Sequence, residues 1–135
     1  MSVFNYRAGI GNVGSYQAST KPFLSSSIHI SGSGNIYRIN LPYVTQFVTI
    51  QNSGLETVSD CLMRFGFSEN GVASNNYIVL NNAESYSADW RVTSIYLRVD
   101  DVTASINATA SIIAGLTNIE ADQLPNNWSG SMGVG

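Results

Sequence analysis

The sequence predicts an all-β protein: a single antiparallel β-sandwich, jelly-roll-like, of about eight strands, with extended arms at both ends. Three observations predict it. From Ser25 to Ile113, short segments alternate apolar and polar residues with the two-residue repeat of a half-buried strand. Clusters of Gly, Asn, Asp, Ser and Pro separate these segments at a spacing of about ten residues. No segment sustains a helical period between caps.

The elements follow in order. Ser27-Ile28-His29-Ile30-Ser31 reads as the first strand, and Gly32-Ser33-Gly34-Asn35 turns the chain. Tyr37, Ile39 and Leu41 share one face of the second strand, which Pro42 interrupts. In the third, Val44, Gln46, Val48 and Ile50 alternate with Thr45, Phe47 and Thr49, and Asn52-Ser53-Gly54 ends it. Cys61 to Phe67 is the fourth, with Met63, Phe65 and Phe67 on one side. The turn dipeptide Asn70-Gly71 places a loop over 69–76. Tyr77 to Leu80 is short and apolar, and Asn81-Asn82 turns again. Tyr86, Ala88 and Trp90 alternate with Ser85, Ser87 and Asp89. Ile95, Leu97 and Val99 line one face of the next strand, which ends at Asp100-Asp101. Ile106 to Ile113 completes the set, with Ala108, Ala110 and Ile112 on a common face. An immunoglobulin-like sandwich is the alternative, but it needs paired cysteines around a core Trp, and Cys61 is the one cysteine. Cys61 itself reads as a small buried apolar residue.

Three regions result: an N-terminal arm over 1–24, the sandwich over 25–116 and a C-terminal arm over 117–135. Gly9, Gly11, Gly14 and Pro22 break regular structure in the first arm, which nevertheless carries Phe4, Tyr6, Tyr16 and Phe23. The second carries Trp128 within a Gly/Ser-rich stretch. Ends of this composition are rarely ordered unless tied down, so the rings predict an arm that docks on its own domain or on a neighbour, and for both arms neighbouring subunits are the expectation.

Charged residues make up 11% of the chain, against about 25% in an average domain. Nineteen Ser, 14 Asn and 8 Thr take their place. A polar but neutral surface suits a protein packed against copies or partners, where each buried charge would need a mate. The six cations are scattered as Arg7, Lys21, Arg38, Arg64, Arg91 and Arg98, a pattern that argues against nucleic acid as a partner. No stretch approaches the ~20 apolar residues of a membrane helix, so no membrane partner is expected. Met1 to Arg7 contains no apolar signal core, which predicts synthesis in a cytoplasm and exit only inside something larger.

Chemical motifs are sparse. Gly9-Ile10-Gly11-Asn12-Val13-Gly14 has the G-x-G-x-x-G spacing, but Ser15 to Pro22 is no helix to hold a pyrophosphate on its amides. His29, between Ile28 and Ile30, faces away from their side, and a triad would need it beside a Ser and a carboxylate. One His and one Cys do not make a zinc site. Asp100-Asp101 could offer oxygens to a cation, with Asp89 or Glu84 as helpers, but corner chemistry accounts for both aspartates. No local pattern singles out a carboxylate acid and base. The expectation is a non-enzyme with no cofactor and no metal. Trp90, Trp128 and the tyrosines serve as core or interface anchors, or as a sugar platform.

Two stretches carry a resemblance. Tyr6-Arg7-Ala8-Gly9-Ile10-Gly11-Asn12-Val13-Gly14-Ser15-Tyr16-Gln17 through Pro22-Phe23, and Leu124-Pro125-Asn126-Asn127-Trp128-Ser129-Gly130-Ser131, resemble the ends of small virion structural proteins of tailed, particularly marine, bacteriophages. The resemblance covers both arms and implies a head decoration, head-fibre or tail component located in the virion, with no catalytic residues. Together with the residue reading it gives an expectation: an oligomeric capsid decoration or stabilising protein, a homotrimer. Its arms would hold copies of itself and other virion proteins, such as the major capsid protein, through Phe4, Tyr6, Tyr16, Phe23 and Trp128. The alternative is a carbohydrate-binding module of a tail or head fibre, reading host glycan near Asn70 to Asn76 or Trp90.

Overall fold

Alternating apolar residues pair into eight strands in the computed structural model, which describes residues 21–31, 34–53, 62–81, 83–100, 107–124, 128 and 130–135. The strands are β1 (Lys21–Ile30), β2 (Tyr37–Asn40), β3 (Tyr43–Asn52), β4 (Met63–Gly66), β5 (Ile78–Leu80), β6 (Ser85–Ala88), β7 (Ser94–Val99) and β8 (Ala108–Glu120). They form two four-stranded sheets in the orders β1-β8-β3-β6 and β2-β7-β4-β5. The first strand pairs antiparallel with the last, the second with the seventh, the third with the sixth and the fourth with the fifth. A long antiparallel ribbon rolled on itself gives this order, and the result is a jelly-roll sandwich.

The core lies between the sheets. Ile30, Val48, Ile50 and Ile112 from one sheet face Met63, Phe65, Ile95 and Leu97 from the other, each at most 1% exposed. Burying such a side chain is worth roughly 1.5–3 kcal/mol. Every buried side-chain N or O among the described residues has a partner. Asn52, for example, donates to the Leu80 carbonyl at 3.0 Å, tying the end of β3 to β5 in the other sheet.

Three strand boundaries depart from the sequence expectation, two of them for a physical reason the structure shows. β1 begins at Lys21 rather than Ser27, so its first residues belong to the sheet and not to an arm. A register shift between Ser25 and Ile28 breaks the alternation there and hides the first half of the strand. Pro22 is tolerated because β1 is an edge strand. β8 runs on to Glu120, past Thr117, where the C-terminal arm was expected to begin. The Thr117 hydroxyl is buried, donating to the Val44 carbonyl at 2.7 Å and accepting from Ile119 N at 3.2 Å, so a polar residue continues the strand. β4 ends at Gly66, not Phe67, and Cys61 lies outside the described residues.

Asn70-Gly71 sits not in a turn but in a one-turn helix, α1 (Glu69–Ala73). Ser68 caps it, its hydroxyl accepting from Gly71 N at 2.9 Å.

Candidate functional site

The two sheets part at the edge formed by β5 and β6, and aromatic rings fill the gap. Phe65 points inward from β4 and is 1% exposed. Tyr86, opposite Ile50 in the β3–β6 register, also faces the other sheet, and its ring lies 5.9 Å from that of Phe65. Trp90 stacks on Tyr86 at 5.5 Å and 22° and meets Phe67 edge-on at 4.7 Å. Phe67 in turn meets Trp128 edge-on at 6.2 Å. Offset and edge-to-face pairs of this kind contribute about 0.5–1.5 kcal/mol each beyond burial. The row seals the sandwich where its edge strands are short, yet its outer members stay wet: Tyr86 is 39% and Trp128 36% exposed.

Beside the row lies an open cleft of about 280 Å³. Phe65, Phe67, Tyr77, Ile78 and Trp90 line it together with Asn75, Asn76, Gly133 and Gly135. Arg64 braces the Tyr77 side. Its guanidinium lies 3.9 Å from the Tyr77 ring centre, donates to the Val72 carbonyl at 3.0 Å and pairs with Asp100 at 2.7 Å. Asp100, a candidate cation ligand in the sequence, is thus engaged by Arg64, and Asp101 lies outside the described residues.

The C-terminal segment also lines the cleft, through Gly133 and Gly135. Asn76, fixed by its own N–H to the Gly71 carbonyl at 2.9 Å, donates from Nδ2 to the carbonyls of Ser131 at 2.5 Å and Val134 at 3.0 Å. Its Oδ1 accepts from Gly133 N at 2.9 Å. Gly130, Gly133 and Gly135 adopt φ of 76°, 80° and 75°, which lets the chain curl around one side chain. Gly71 must also be glycine here, because a Cβ would strike the Gly135 carbonyl oxygen and the Ser68 hydroxyl.

The residues picked from sequence fall as follows. Phe4, Tyr6 and Tyr16 lie outside the described residues. Phe23 is half-buried against the core of its own sandwich. Trp128 lies on Phe67, with Gly135 against it. Residues 131–134 are held on their own domain, since Asn76 bonds three of their backbone groups, and docking of the C-terminal arm on a neighbour stays a proposal. Sequence reasoning missed Asn76 as a clamp; nothing in an Asn-Asn pair distinguishes it from a turn. It named the segment from Asn70 to Asn76 or Trp90 as alternative places for a sugar site, and the structure brings Trp90, Asn75 and Asn76 to one cleft. His29 is exposed on β1, opposite Thr109.

No family model matches the chain, and no curated protein matches it. Among solved structures it is similar to the solution NMR structure of a de novo designed double-stranded β-helix, with a TM-score of 0.41 and 18% identity over 70% of this chain and 99% of that one.

Proposed function

We propose that this protein is a non-enzymatic virion structural protein: an oligomeric capsid decoration or stabilising protein, made in a bacterial cytoplasm and held in the particle by aromatic contacts. One observation carries the reading. Ile78 lines the cleft, Tyr86 and Trp128 touch its Trp90 and Phe67, and Met132 and Val134 flank its Gly133 in the chain; the five are 40%, 39%, 36%, 89% and 56% exposed. Singly exposed apolar residues are ordinary; a grouped set bordered by polar residues marks a contact surface. Aromatic residues and Met are the types enriched where proteins meet. Trp128 anchors this edge, and Phe4, Tyr6 and Tyr16 add rings from the N-terminal segment. Many copies on one shell would multiply a modest contact by avidity. Copies of this chain and the major capsid protein are the partners.

Addition of purified protein to particles lacking it tests the reading. Wild type should bind in fixed stoichiometry. Tyr86→Ser with Trp128→Ser should bind at least roughly tenfold more weakly, since each removes an exposed ring from the contact. Equal binding by wild type and variant contradicts the reading.

A second reading is favoured by the cleft itself. Tyr77 and Trp90 supply ring surface and the exposed Asn75 an amide, the pairing by which a protein holds a sugar's apolar face and its hydroxyls. A host-glycan-binding module predicts retention of oligosaccharides by the isolated protein, lost in Asn75→Ala. A glycan panel with no retained sugar removes it.

A further inference from the structure

The six cations are scattered in sequence, but the fold gathers three of them on the outer face of the β2-β7-β4-β5 sheet. Their neighbours in the chain, Tyr37, Ile39, Met63, Phe65, Leu97 and Val99, pack on the core, so Arg38, Arg64 and Arg98 face outward. Arg64 lies directly opposite Arg98. Arg38 lies opposite Tyr96, two residues before Arg98 on the same face. Arg38 and Arg98 therefore flank the Tyr96 ring as diagonal neighbours, about 7–8 Å apart at the backbone.

What holds each arginine differs. Asp100 pairs with Arg64 at 2.7 Å, the one ion pair among the described residues. Arg38 is held by neutral groups alone: Nε donates to Asn40 Oδ1 at 2.7 Å and Nη2 to Ser94 Oγ at 3.3 Å, and the guanidinium lies 5.6 Å from the Tyr96 ring centre. Ser94 Oγ in turn donates to Asn40 Oδ1 at 3.2 Å, which closes the triangle. Arg98 is half-buried, and its guanidinium makes no ion pair or hydrogen bond with the described residues. Glu69 of α1 lines an open cleft at the start of β2 with Ile36 and Tyr37 and pairs with neither Arg38 nor Arg98. Like charges opposite one another in a sheet repel, and Asp100 neutralises only one of the Arg64–Arg98 pair.

We propose that Arg38 and Arg98 form a docking site for the carboxylates of an acidic polypeptide segment on a partner protein. The inference goes beyond the proposed function and rests on neither the aromatic edge nor the cleft beside it. A guanidinium presents its donors as a planar fork that fits a carboxylate two bonds at a time. Asn40, Ser94 and Tyr96 fix the Arg38 fork before a partner arrives, which lowers the ordering cost of binding. Arg98 supplies the second charge, and its half-burial strengthens the pull on an anion. Alternate residues of an extended chain stand about 6.6 Å apart, so acidic residues at every second position match the two arginines. Other anionic ligands fit less well. A sugar needs an exposed ring, and Tyr96 is 8% exposed with Arg38 over it. A polyphosphate needs a run of cations, and Asp100 and the net charge of −3 oppose it.

The test is titration of the isotope-labelled full chain at low salt with a peptide of alternating aspartate and glycine, taken to millimolar concentration. Binding is read at the side-chain Nε–H signals of Arg38 and Arg98. The proposal expects saturable shifts at both, weakening as salt rises. Arg38→Gln and Arg98→Gln should each weaken binding at least about tenfold, whereas Arg91→Gln, exposed on another part of the chain, should bind as wild type does. Arg98→Gln should melt close to wild type, since it removes the like charge opposite Arg64; should it fail to fold, the exposed Arg38→Gln still decides. No saturable shift at Arg38 and Arg98 overturns the proposal. So does an equal loss in Arg91→Gln, which would mean general attraction of charge. Tighter binding of a single-stranded oligonucleotide than of the peptide overturns it in favour of a polyphosphate, and binding of sulfate without the peptide reduces the site to one for small anions, which also overturns it.

Discussion

Asn76 turns a Gly/Ser-rich end into a docked one. Its amide uses both hydrogens of Nδ2 and a lone pair of Oδ1 on backbone groups of residues 131–134. Asn76→Ala should release that segment. Each hydrogen bond contributes about 0.5–1.5 kcal/mol net, and the exposed setting puts the total near 1–2 kcal/mol. The direct readout is amide exchange: Gly133, bonded to Asn76 Oδ1, and Val134, bonded to the Ser131 carbonyl, should lose protection while the sheets keep theirs. Gly71→Ala should release the same segment from the other side and cost about 1–3 kcal/mol, as its methyl collides with Gly135 and Ser68. Unchanged protection of Gly133 and Val134 in either variant would show that the tail is held elsewhere. Arg64 acts more broadly, since it bonds Asp100 and Val72 and covers Tyr77. Arg64→Ala should cost about 1–3 kcal/mol by denaturant unfolding, because Asp100 and the Val72 carbonyl lose their half-buried partner.

Strands were legible where apolar and polar residues alternate. β2 buries the alternate face read from Tyr37, whereas β7 is buried almost throughout and β6 mostly exposed, although both lie where Ile95 and Tyr86 put them. Strands were illegible where tertiary context overrides the alternation. The bulge in β1 puts three serines in a row and looks like a linker. Thr117 continues β8 because a carbonyl of β3 accepts its proton, which no local pattern reveals. The aromatic cleft was half legible: Trp90 and the Asn-rich segment stood out, but their meeting depends on β5 and on α1, read as a loop. One consequence belongs to these boundaries. Removing residues 1–20 leaves β1 whole, whereas removing 1–24 strips Phe23 and its pairing with Ala114. The shorter deletion should melt close to wild type, and the longer should lose about 3–5 kcal/mol or fail to fold. Equal melting of the two would contradict the assignment of β1.

For the molecule as a whole, the jelly-roll order joins the ends of the sandwich, because β1 closes on β8. Nearly every pairing is distant in sequence, so folding should be slow for a chain of 135 residues, on the millisecond-to-second scale of non-local β topologies. The finished domain presents two chemically different surfaces. The aromatic edge is partly lined by the tail; the outer β1-β8-β3-β6 face carries exposed Leu24 and Ile113 among hydroxyl side chains. The reading turns on the first being covered in the particle. Hydroxyl-radical footprinting of Tyr86, Trp128 and Met132, comparing free protein with assembled particles, tests this most directly. The account predicts that all three are oxidised readily in the free protein and protected in the particle. Equal oxidation in both states would contradict it.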